Sequence, residues 1–165
     1  MNRSYKDLIE IKPSEYGKGL FALRNINEGT IICKANGQEL NFAQTIMLGE
    51  KESHTLQIDF DKYILCEPPF LYSNHSCSPN CGVNENLELF TLYPIKAGEE
   101  LCWDYSTSML ERHWTMQCAC GKKNCRKVVT DFDLLPVRLQ TKYLHLNIVL
   151  PFIAHFLEQQ LGKTG

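Results

Sequence analysis

Three thiols stand within eight residues in Cys118-Ala119-Cys120-Gly121-Lys122-Lys123-Asn124-Cys125, and no other feature restricts the fold of this chain as strongly. Gly121 and Asn124 supply the turns that let the thiols converge on one centre. Tetrahedral Zn²⁺ takes four ligands, with thiolates at ~2.3 Å, so a closed structural zinc site fits the spacing. The fourth ligand must come from elsewhere, with Cys77, Cys81, Cys102, His75 and His113 as the candidates. Three free thiols in a loop are the alternative reading.

Eight cysteines in all could instead indicate a disulfide framework. The opening MNRSYKDLIEIKPSE argues otherwise, because it mixes charged with apolar residues and lacks the apolar stretch of a signal peptide. Reduced thiols or metal ligands are expected, in a soluble intracellular protein, with cytoplasm and nucleus not distinguished. The later LHLNIVLPFIAHFL is interrupted by Asn147, Pro151 and two histidines, so no membrane span is expected. A net charge of −2 on 165 residues gives no overall electrostatic reason to bind nucleic acid directly. That length fits one domain with one core.

Local patterns make the chain mostly β with some α. Leu8–Ile11, Gly19–Ala22 and Thr30–Cys33 read as strands, with Asn27-Glu28-Gly29 as a turn. Residues 39–48 read as a short helix, Thr55–Phe60 and Tyr63–Cys66 as a strand pair around Asp61-Lys62, and Leu87–Leu92 as an alternating strand. Ala97-Gly98 turns the chain into Glu100–Trp103. Beyond residue 133, Leu139, Tyr143 and Leu146 recur at helical spacing after Pro136. Pro151 opens a second helix, and this C-terminal pair is expected to pack on the β body.

The stretch Ser73-Asn74-His75-Ser76-Cys77-Ser78-Pro79-Asn80-Cys81 carries no large aliphatic side chain. It is either an exposed loop or a segment whose polar groups are committed to one another, to a metal or to a ligand.

Four segments in order, Gly17-Lys18-Gly19-Leu20-Phe21-Ala22, Asn74-His75-Ser76-Cys77-Ser78-Pro79-Asn80, Gly98-Glu99-Glu100-Leu101-Cys102-Trp103-Asp104-Tyr105 and Cys118-x-Cys120-x4-Cys125-Arg126, resemble the SET-domain family of protein-lysine methyltransferases. The resemblance runs from residue 8 to about 127. It implies small β-sheets around a knot-like core, a zinc-binding post-SET segment, and S-adenosylmethionine as methyl donor. The expected division is a SET domain over 8–106, a post-SET zinc segment over 107–130 and a C-terminal helical extension over 131–165.

Residue by residue, the resemblance implies donor binding at Lys18, Gly19, Leu20, Asn74 and His75, and zinc ligation by Cys77, Cys118, Cys120 and Cys125. It places Tyr105 at the catalytic tyrosine position, and Trp103 and Phe132 at the substrate channel, plain packing being the alternative for Phe132. The chain departs from many relatives at Leu71-Tyr72-Ser73 and at Ala35-Asn36-Gly37-Gln38. Histone choice therefore does not carry over, and the partner implied is a protein or peptide bearing a lysine, with oligomeric state left open. A non-catalytic module that keeps the fold and the zinc is the competing class. Trp103, two residues before Tyr105, faces the same side of its strand, and its bulk and N–H are expected to disfavour a dimethylated amine. Asp104 points to the opposite face, which favours a structural hydrogen bond.

Overall fold

The computed structural model describes residues 5–162. Its strands are β1 (Ile9–Ser14), β2 (Gly17–Ala22), β3 (Ile31–Lys34), β4 (Gly37–Leu40), β5 (Thr55–Asp59), β6 (Lys62–Cys66), β7 (Asn74–His75), β8 (Cys81–Val83), β9 (Glu88–Thr91), β10 (Glu100–Trp103), β11 (Met116–Gln117) and β12 (Val128–Val129). Helix α1 (Phe42–Ile46) lies between β4 and β5, and α2 (Val137–His145) and α3 (Pro151–Gly162) close the chain. The strands form small sheets ordered β1-β2-β10-β7, β3-β9-β8, β4-β6-β5 and β11-β12. This is the mostly β architecture of small sheets expected from the sequence.

The segment expected as one helix over 39–48 divides in two. Residues 37–40 pair with β6 as a strand. Asn41 then stops the strand and caps α1, its side chain accepting from the Gln44 N–H while the Gln44 side chain accepts from the Asn41 N–H. Such a reciprocal box satisfies two of the donors a helix start leaves open. The turn between β5 and β6 sits where expected, with Asp61 in the left-handed region at φ 53°. The C-terminal helices start near the two prolines, Pro136 as the N-cap of α2 and Pro151 as the first residue of α3. Proline suits these positions because its missing N–H is not needed there.

The first sheet positions the site. β2 pairs antiparallel with β10, Leu101 opposite Leu20, and both side chains are fully buried. Each such burial stabilises by ~1.5–3 kcal/mol. β7 then pairs with β10 in parallel, Cys102 beside Asn74 and Trp103 beside His75. The polar stretch 73–81 is therefore no exposed loop: Ser73, Asn74, His75, Ser76, Cys77 and Cys81 are all buried. Backbone bonds from Ser76 N–H to the Trp103 carbonyl (2.9 Å) and from Asn80 N–H to the Cys102 carbonyl (3.2 Å) continue the pairing. Asn80 adds side-chain bonds to Glu100 and Cys102, so its amide acts as a further rung.

Candidate active site and metal centre

Parallel pairing of β7 with β10 delivers Cys77 to the thiols of Cys118, Cys120 and Cys125. The Sγ atoms of Cys77, Cys118, Cys120 and Cys125 all lie within 4.8 Å of one another, and those of Cys77 and Cys118 are 3.7 Å apart. Four sulfurs at ~2.3 Å from a tetrahedral zinc stand ~3.8 Å apart, so the donor set fits that ion in type, number and size. The β11-β12 hairpin holds the two ends of the cysteine loop, with Cys118 N–H donating to the Lys127 carbonyl at 2.8 Å. Second contacts orient the sulfurs: Arg126 N–H reaches Cys77 Sγ and Lys127 N–H reaches Cys125 Sγ, each at 3.4 Å. Asn124 Nδ2 donates to the Cys77 carbonyl at 2.9 Å. Of the other candidate ligands, His113 pairs with Glu52, and Cys81 and Cys102 lie outside the cluster.

His75 lies between the cysteine cluster and Tyr105. Its Nδ1 accepts from Tyr105 N–H at 3.2 Å, so the neutral ring carries its proton on Nε2, 3.4 Å from Cys77 Sγ. Burial pushes this imidazole down to about 4, against the opposing pull of Asp104. A neutral ring that accepts on one side and donates on the other links the cysteine cluster to the residue that follows β10 and Asp104.

Tyr105 opens a 3-10 turn, Tyr105–Ser108. Burial holds its phenol well above the ordinary range, so it remains a proton donor, and it donates to the Ser73 carbonyl at 2.9 Å. Trp103 Nε1 reaches the same carbonyl at 3.2 Å and Ser73 Oγ at 3.0 Å. The rings of Trp103 and Tyr105 stand 4.8 Å apart between centroids. The indole N–H is thus committed to Ser73, and of the two properties expected to act on an amine only its bulk is available.

Two clefts meet at Tyr105. One is lined by Gly17, Lys18, Tyr72, Asn74 and His75. The other is walled by Leu56, Cys66, Phe70, Trp103 and Met109, with the carboxylates of Glu52 and Glu111. Ser53, His54, Leu71 and Trp114 line both, as Tyr105 does. Glu111 is fixed by Tyr63 Oη, which donates at 2.7 Å, and by Trp114 N–H at 3.3 Å.

Beside the first cleft, Asn74 Nδ2 donates to the Lys18 carbonyl at 2.8 Å and lies within 2.8–2.9 Å of Glu100 Oε1 and Ser14 Oγ. A Cβ at position 19 would overlap Glu100 Oε1 and come within 3.1 Å of Asn74 Nδ2. Glycine at 19 permits this close approach, which any larger residue would relieve only by displacing Glu100, whereas Gly17 meets no neighbour and serves its φ of 93°.

Two expected site residues have their side chains in the core. Leu20 is fully buried against Leu101 and lines neither cleft. Phe132 is also fully buried in the apolar core and lines neither cleft, so packing is the role its position supports. In the other direction, sequence reading gave no part to Tyr16, whose hydroxyl accepts from Ala119 N–H at 2.8 Å and lies 3.7 Å from Cys118 Sγ. Nor did it give one to Ser73, Glu111 or Arg126. Adjacency to Gly17 and to Cys125 was the only local signal for Tyr16 and Arg126.

Comparison with known proteins agrees with this geometry. Residues 17–106 match the SET domain family. The chain belongs to the SET-domain family. It is 32% identical over 146 residues to the histone-lysine N-methyltransferase trr of Drosophila melanogaster, covering 77% of this chain and 6% of that protein. It is 33% identical over 141 residues to the histone-lysine N-methyltransferase NSD3 of Mus musculus, covering 74% and 10%. The chain therefore spans a tenth or less of these relatives. Among solved structures, Kryptonite in complex with mCHG DNA and SAH shares the fold, with a TM-score of 0.61 at 23% identity, over 74% of this chain and 29% of that one. No helix among the described residues is long and apolar enough to cross a membrane.

Proposed function

We propose that this SET-domain chain is a protein-lysine N-methyltransferase that uses S-adenosylmethionine, with Tyr105 as its catalytic tyrosine and a structural Zn²⁺ on Cys77, Cys118, Cys120 and Cys125. The observation that carries the proposal is the meeting of two clefts at Tyr105, one beside Lys18, Asn74 and His75 and one whose mixed wall includes Phe70, Trp103 and Met109. Kryptonite was crystallised in complex with SAH, the product such a donor leaves, which supports the choice of donor.

The donor supplies a methyl group on a cationic sulfonium, whose C–S bond breaks as the lysine nitrogen forms the new N–C bond, leaving a thioether. The residues of the chain must orient the amine and favour its neutral form, since free lysine at ~10.4 is almost wholly protonated at neutral pH. Glu52 and Glu111 attract the cationic side chain into its cleft. On the same wall, Phe70, Trp103 and Met109 withdraw it from water, which shifts its equilibrium toward the free amine and releases the proton to solvent. The Tyr105 hydroxyl and the Ser73 carbonyl it holds are the polar groups that orient the reacting atoms. Cys77, Cys118, Cys120 and Cys125 would hold the zinc, which would tie the 73–81 segment to the 118–125 loop and so support the segment that carries Asn74 and His75.

In this reading 8–106 is the catalytic SET unit, 107–130 the zinc segment and 131–165 a helical extension. The substrate is a protein or peptide bearing a lysine, and similarity to histone-lysine N-methyltransferases makes histones the first class to try. Calorimetry with S-adenosylmethionine followed by a lysine peptide array tests the proposal. Binding with methyl transfer supports it. Donor binding without transfer to any peptide or histone would favour the non-catalytic module.

A further inference from the structure

The C-terminal helices lie outside the matched residues 17–106, yet they reach the catalytic turn directly. Asp104, immediately before Tyr105, has a fully buried side chain. It accepts from Arg126 Nη1 at 2.7 Å, Arg126 Nη2 at 2.8 Å, Ser106 N–H at 3.1 Å and Tyr143 Oη at 2.8 Å. Three separate parts of the chain therefore converge on one carboxylate: the catalytic turn, the residue after zinc ligand Cys125, and the last turn of α2. Burial, with the Asp104 charge beside it, holds the Tyr143 phenol far above its ordinary range, so it remains a donor.

A second contact reaches the same turn. Leu150 N–H, in the α2–α3 connection, donates to the Thr107 carbonyl at 3.0 Å. Its neighbour Ile148 packs on β8 at Gly82, where a Cβ would overlap the Ile148 side chain. The extension is thus keyed to the SET sheets at Gly82 and hydrogen-bonded to Asp104 just before the Tyr105–Ser108 turn and to Thr107 within it.

We propose that Tyr143 is a positioning residue for Tyr105: through Asp104, helix α2 fixes the orientation of the catalytic tyrosine. A buried carboxylate with four donors has one low-energy orientation, and removing one donor leaves an acceptor site that the others must turn to fill. Because Asp104 and Tyr105 are consecutive, a rotation at 104 is transmitted to the Tyr105 N–H that His75 Nδ1 accepts. The Tyr105 hydroxyl then shifts from the Ser73 carbonyl. The catalytic part of this inference rests on the function proposed above; the structural part does not.

The test uses the full, zinc-loaded chain labelled with 3-fluorotyrosine, its Tyr105 ¹⁹F resonance assigned by its loss in Tyr105→Phe. Tyr143→Phe deletes one hydroxyl and little volume. This change is expected to move the Tyr105 resonance and to lower kcat about tenfold, with peptide KM within about twofold, as for an interaction that orients rather than binds. Ile148→Val thins the packing of the same extension without touching Asp104, and is expected to lower the melting temperature while leaving the Tyr105 resonance in place. An unmoved Tyr105 resonance in Tyr143→Phe overturns the inference whatever the activity. An equal movement in Ile148→Val overturns it too, because any loosening of the extension would then suffice. Absence of methyl transfer by the parental protein refutes the proposed function, and the resonance still decides the role of Tyr143.

Discussion

Arg126→Met should be among the most destabilising single changes outside the apolar core. Its guanidinium makes both of its charged bonds to Asp104 and a third to Ser106 Oγ at 3.2 Å. Without it, Asp104 keeps only Tyr143 Oη and Ser106 N–H, two neutral donors around a buried charge. Breaking a buried ion pair by removing one partner typically costs ~3–5 kcal/mol, because the other charge is left uncompensated. The Arg126 side chain keeps 15% of its exposure, so water reaches part of the gap and the lower end, about 3 kcal/mol, is expected. For a chain of this length that is a fall in Tm of roughly 6–12 °C. Urea unfolding at fixed excess zinc gives the free energy, and zinc content measured in parallel separates loss of the pair from loss of the metal. Arg126→Lys keeps the charge but not the two-pronged geometry and should fall between. A loss below about 0.5 kcal/mol in Arg126→Met, the ordinary range of surface substitutions, would refute the reasoning.

Elemental analysis of protein purified without chelator should find one zinc per chain, and Cys120→Ser should lose most of it; a full zinc complement in that variant would remove Cys120 from the ligand set. Gly19→Ala should weaken S-adenosylmethionine binding by calorimetry about tenfold or more, through displacement of Glu100 and Asn74, while the fold survives. Unchanged affinity would show that the approach at Gly19 does not shape the donor cleft. The parental protein should yield mainly monomethyl-lysine because the Trp103 indole occupies its cleft, and Trp103→Phe should raise the di- and trimethyl products seen by mass spectrometry. Abundant trimethyl-lysine made by the parental protein would defeat the crowding idea.

What the sequence disclosed was what depends on near neighbours. The spacing of Cys118, Cys120 and Cys125 announced a metal centre, and the apolar alternation with turn residues at 61 and 98 located β6, β9 and β10. The two prolines marked the starts of α2 and α3. The fourth ligand, Cys77, came from the family resemblance alone, because nothing local distinguishes it from Cys81 or Cys102. The parallel β7-β10 pairing decides which of them reaches the loop, and that pairing joins segments far apart in the chain. The same holds for the hub at Asp104, which gathers Arg126 and Tyr143 from 22 and 39 residues away. Tyr143 was legible as part of an apolar stripe, and its hydroxyl carried no signal of a partner. Phe132 and Leu20 were placed at the site by analogy of position, whereas core packing claims both side chains. Residues 39–48 misled because a strand and a five-residue helix, separated by the cap Asn41, together imitate one short helix.

Methyl transfer at Tyr105 is the claim on which the proposed function rests. The decisive measurement is mass spectrometry of a lysine peptide, first found as a substrate on an array, incubated with S-adenosylmethionine and either the parental chain or Tyr105→Phe, both zinc-loaded and shown by calorimetry to bind the donor. Losing the positioned hydroxyl should reduce methyl-lysine formation by about 10²-fold or more, with folding and donor affinity retained. Methyl-lysine formed by Tyr105→Phe at the parental rate would contradict the central claim.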